Sequence, residues 1–124
     1  MTQYMVAIHH PDDFDPSTET EATRNDIIAL NKEMVAAGVR VFVGGLEPAR
    51  SAVSVRARPG GQLLVTDGPY METKEHIAGL LILEAANLDA ALAWARRGTV
   101  TSAPVEVREI LFFPAPDEGA DESK

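Results

Sequence analysis

The sequence predicts an α+β fold, a ferredoxin-like split βαβ antiparallel sheet with an inserted hairpin. Three observations carry this. The segments follow one another as β-α-β-(hairpin)-β-α-β, the split βαβ pattern. Two strand segments, Tyr4 to His9 and Ile77 to Leu83, are apolar on both faces, as the two central strands of such a sheet must be. Each helical segment carries one apolar stripe, and right-handed crossovers place both helices on the same side of the sheet.

In chain order, Tyr4, Val6 and Ile8 point one way from the first strand and Met5, Ala7 and His9 the other. His9-His10-Pro11-Asp12-Asp13-Phe14-Asp15-Pro16 then reads as a loop, because two prolines and three aspartates oppose regular structure. Adjacent histidines on an extended chain face opposite ways, so no metal site is expected there. Thr18-Glu19-Thr20-Glu21 is a capping-box pattern with Thr18 at the N-cap, predicting a helix from about Glu19 to Ala37. Its stripe is Ile27, Leu30 and Met34, flanked by Val35 and Ala37, and Gly38 stands at C′.

Val39 to Leu46 is the second strand. Gly44-Gly45 marks a bulge or a close backbone approach near its end. Ala52 to Ala57 alternates, with Val53, Val55 and Ala57 expected inward and Ser54, Arg56 and Arg58 outward. Pro59-Gly60-Gly61 turns the chain, and Gln62 to Thr66 returns as a hairpin. After Ile77 to Leu83, Asn87 caps a helix over Leu88 to Arg97, with stripe Leu88, Ala91, Leu92 and Ala95. Arg96 and Arg97 suit its negative end, and Gly98 stops it. Val105 to Phe113 is the last strand. The expected organisation is one domain over residues 1–113 and an acidic, disordered tail over 114–124.

The chain has 124 residues, 45% of them hydrophobic, enough for one domain with a core. Its net charge of −8 argues against a nucleic-acid partner, which takes a clustered basic face, and against an anionic membrane surface. The absence of cysteine excludes disulfides, zinc–thiolate centres and thiol nucleophiles. With no basic leader and no apolar run near the ~20 residues of a membrane span, a cytoplasmic protein is expected. Covering one sheet face with helices leaves the other bare and apolar, and a second copy would bury it, so a homodimer is expected.

The stretch richest in chemistry is Asp67-Gly68-Pro69-Tyr70-Met71-Glu72-Thr73-Lys74-Glu75. Pro69 cannot extend a ladder, Gly68 can take φ > 0, and Asp67 can close the corner by accepting from backbone amides. With Val65-Thr66 before it and an apolar strand after it, this stretch resembles the signature of the DGPF-type branch of the YCII-related proteins, with Tyr70 in place of the usual Phe. The likeness extends to Asn87–Ala95 and Val105–Ile110. The resemblance implies a dimeric α+β barrel and a family with few members of established function. Smaller YCII-related proteins pair a His in the first helix with an acid before the second strand. Here that helix has no histidine and the matching region is Met34-Val35-Ala36-Ala37-Gly38, so the pair does not carry over.

The topology gathers His9, Glu47 and the Asp67 corner at one rim. His9 and Asp67 are the candidate catalytic residues. Glu47, Gly68, Pro69, Tyr70, Glu72 and Lys74 are the candidate ligand-binding ones, with no metal and no cofactor expected. A histidine with a carboxylate is a workable general base, and a lysine or tyrosine can stabilise an oxyanion. The residues fit two functions: a non-catalytic protein that binds a small organic ligand or serves as an accessory, and an acid/base enzyme of isomerase or lyase type acting on a small carbonyl or carboxylate compound.

Overall fold

The computed structural model describes residues 2–11, 15–69, 73–97 and 103–111. Its elements are β1 (Thr2–Pro11), α1 (Glu21–Ala36), β2 (Arg40–Gly45), β3 (Val53–Ala57), β4 (Leu63–Asp67), β5 (Glu75–Ala85), α2 (Leu88–Arg97) and β6 (Val105–Glu109). Four strands form an antiparallel sheet in the order β2-β5-β1-β6, and β3 and β4 form a separate two-stranded ribbon. The two strands apolar on both faces, β1 and β5, are the central pair, and the fold is the α+β, ferredoxin-like one expected.

Register decides which face each residue takes. Tyr4 pairs with Leu83 and Val6 with Leu81, so these four share a face. They form the core with Leu30 and Met34 of α1 and Ala91 and Ala95 of α2, all buried. Both helices therefore cover this face. Met5 opposite Ile82, and Ala7 opposite Leu80, belong to the other face, where Phe42 lies opposite Ile82 and is half exposed. Side chains tie α1 to its neighbours: Arg97 of α2 pairs with Glu33, and Arg40 of β2 donates to Asn31 Oδ1 at 2.7 Å. No helix among the described residues is long and apolar enough to cross a membrane.

The helix ends follow from local chemistry. Thr20, not Thr18, caps α1: its hydroxyl accepts from the Thr23 N–H at 3.1 Å, and the helix starts at Glu21 rather than Glu19. Thr18 closes a 3-10 turn, Pro16–Thr18, held by Asp15, whose carboxylate accepts from the Ser17 hydroxyl and N–H. At the other end Gly38 has φ 73°, its N–H reaches the Val35 carbonyl, and the Val39 N–H reaches that of Met34, a Schellman motif. Asn87 caps α2 through Ala90 N–H at 2.9 Å. Of the expected stripes, Ile27 and Val35 of α1 and Leu88 of α2 are exposed.

Strand ends also shift. β1 continues through His10 and Pro11, because β5 begins at Glu75 and pairs with both. β6 is assigned only to Glu109, and the expected continuation over Phe112 and Phe113, the 114–124 tail and the stop at Gly98 lie outside the described residues. Gly44-Gly45 is a close approach: a Cβ on Gly79, which pairs with Gly45, would sit 3.1 Å from the Gly44 carbonyl oxygen.

The largest correction concerns the ribbon. Val53, Val55 and Ala57, expected inward, are exposed, whereas Ser54 and Leu64 on the opposite face are half buried. Alternation set which residues share a face but not which face the chain covers.

Candidate functional site

His9 lies near the end of β1 on the face away from the helices. Its Nε2 is 2.7 Å from Glu106 Oε1, with side-chain exposures of 22% and 63%. Strand order brings them together. β6 is the neighbour of β1, Glu106 pairs with Ala7, and His9 is the next residue on that face. The His9 N–H donates to the Pro104 carbonyl at 3.0 Å and holds the backbone in place. An ionised carboxylate only accepts, so Nε2 carries the hydrogen in this contact. In the neutral ring Nδ1 is then the nitrogen free to take a proton.

A bulge lies beside this pair. The β1–β5 register steps from Ile8 opposite Gly79 to His9 opposite Ile77, leaving Ala78 as the extra residue. Bulges re-aim side chains and are common next to active sites. The Ala78 carbonyl accepts from Leu46 N–H at 2.8 Å, which brings the end of β2, and Glu47 just after it, to the same end of the sheet. β5 stands between β2 and β1, so one strand separates Glu47 from His9.

The other expected residues lie on other elements. Lys74 is exposed and immediately precedes β5, whose first residue, Glu75, pairs with Pro11. Asp67 is not in the corner but is the last residue of β4, opposite Val53 and exposed. Gly68, with φ 102°, makes the turn: its N–H reaches the Ala52 carbonyl at 2.6 Å, and its carbonyl accepts from Ser54 Oγ at 2.7 Å. Pro69 is half buried, and Tyr70 and Glu72 lie outside the described residues. Among the described residues, Glu47, Asp67 and Lys74 make no side-chain hydrogen bond or ion pair with His9 or Glu106.

His10 takes the opposite face from His9 and lies across from His76, whose Nε2 is 3.3 Å from Thr73 Oγ1. Among the described residues no three His, Asp or Glu side chains are grouped to hold a metal ion. Glu106 is the neighbour of His9 that reading the sequence missed. The signal was available: in this strand order the last strand neighbours the first, so its alternating acid falls beside His9.

The sequence model of the YCII-related domain family matches residues 1–114. An uncharacterized protein of Rhizobium meliloti (strain 1021) is 33% identical over 98 residues, covering 77% of this chain and 78% of the relative.

Proposed function

We propose that this chain, which belongs to the YCII-related family, binds a small organic molecule on the sheet face away from the helices and removes a proton from it. The hydrogen bond between His9 and Glu106 carries the reading. Glu106 orients the imidazole with Nε2–H toward itself, and Nδ1 accepts a proton from carbon beside a carbonyl. The electron pair of the C–H bond moves onto the carbonyl oxygen, and Lys74, just before β5, is the candidate cation for that oxyanion. The substrate class is a small carbonyl or carboxylate compound, and the reaction an isomerisation or elimination.

A homodimer closing over this face belongs to the same reading and is supported by the half-exposed Phe42. So does a cytoplasmic setting, supported by the absence of cysteine. The Val65–Glu75 sequence supports placement in the DGPF-type branch. A second reading, binding without chemistry, is favoured by Glu47, Asp67 and Lys74 making no contact with the dyad.

The test is solvent deuterium exchange into the α-carbons of small ketones and keto acids. Exchange should occur with the parent and fall by roughly 10²-fold or more in His9→Gln, the usual contribution of a general base. In Glu106→Ala the 15N spectrum should show the loss of a single Nε2–H tautomer. Ligand binding with no exchange would leave the non-catalytic reading standing. Equal exchange in parent and His9→Gln would remove His9 from any catalytic role.

A further inference from the structure

The β3–β4 ribbon is amphipathic with its apolar side turned outward. Val55 pairs with Val65 and Ala57 with Leu63, so Val53, Val55, Leu63 and Val65 share one face. They are 59%, 64%, 68% and 61% exposed. The opposite face carries Ser54, Arg56, Leu64 and Thr66, and it is there that Ser54 and Leu64 are half buried and the Ser54 hydroxyl is bonded. The half-buried positions are thus on the more polar side. Side chains of this size and exposure leave on the order of 400 Å² of apolar surface on the ribbon alone, as large as the largest patch on a typical whole monomer. A two-stranded ribbon is also marginal without something packed on its face.

We infer that the ribbon is a dimerisation arm whose apolar face packs on a second copy of this chain. Area is the argument for that occupant. On the sheet face away from the helices, Phe42, Leu46 and Ile77 are 51%, 52% and 42% exposed. Adding them to the ribbon gives roughly 700 Å² per copy, close to the ~800 Å² per partner of a standard stable interface. The chain therefore presents about one interface's worth of apolar surface, divided between its sheet and its arm. The inference rests on the homodimer proposed above. Asp67 lies on the same ribbon face as Val53, so the arm also presents this carboxylate to the partner.

Sedimentation equilibrium of the full chain tests this with Val55→Lys/Val65→Lys and, on the other ribbon face, Thr66→Lys. The parent should be dimeric at micromolar concentration. Val55→Lys/Val65→Lys should weaken the dimer by roughly a hundredfold or more, as charges placed at the centre of an apolar contact do, while Thr66→Lys leaves it intact. If the lysine variant fails to fold, Val55→Thr/Val65→Thr keeps the β-branched shape and should still weaken association about tenfold. A dimeric parent with equally tight ribbon variants overturns the arm and leaves the dimer standing. A monomeric parent overturns both.

Discussion

The Ser54 hydroxyl donates to the Gly68 carbonyl across 2.7 Å at a half-buried position, and the Gly68 N–H reaches back to Ala52. Together these clamp the base of the ribbon. Removing a hydrogen bond of this kind costs about 1 kcal/mol. Ser54→Ala should therefore lower thermal stability measurably. Asp67→Ala should leave it nearly unchanged, since this exposed carboxylate has no hydrogen-bond partner among the described residues. Equal losses in the two variants would return the corner to Asp67. Asp15 is the other residue whose neighbours set its chemistry. The Ser17 hydroxyl, and secondly the Ser17 N–H, hold its carboxyl below the ordinary carboxylate value. A depressed folded value stabilises the native state at pH above the unfolded carboxyl's value, and that contribution disappears as pH falls through the folded one. Ser17→Ala should raise the Asp15 midpoint in a carboxyl NMR titration, and an unmoved midpoint would refute the assignment.

At the scale of elements, α1 is held by its caps and by two buried residues, Leu30 and Met34. The N-cap accepts one of the helix's free N–H groups, and its loss typically costs about 1 kcal/mol. Thr20→Ala should show that loss in chemical denaturation. Thr18→Ala, outside the helix, should cost less. The reverse order would place the cap at Thr18. The end of β1 shows a second kind of control. The Ala78 bulge and the Pro104 carbonyl fix where His9 stands, while the Glu106 bond fixes its ring. An exposed pair of this sort adds little stability, ~0–1 kcal/mol, so its consequence is orientation.

At the scale of the whole molecule, two copies of a chain carrying −8 repel each other. Association driven by an apolar sheet face and ribbon should therefore tighten as salt screens the repulsion, with a Debye length falling from about 30 Å at 0.01 M to about 10 Å at 0.1 M. Dimer dissociation constants measured across that range should fall. If they rise instead, ion pairs rather than apolar contact hold the copies together.

The sequence by itself determined the element order, the two central strands, the α2 span with its Asn87 cap, and the Gly38 stop. Each of these rests on local chemistry: periodicity, a capping side chain, or a φ that glycine reaches most readily. It also contained the His9 half of the dyad. Only the tertiary structure decided what His9 touches, because Glu106 is 97 residues away in sequence and becomes a neighbour through strand order. The same limit explains the ribbon. Alternation puts Val53, Val55 and Val65 on one face of two paired strands, but no local rule states which way that face turns. That depends on which side the rest of the chain covers, a property of packing between elements that short-range spacing does not contain.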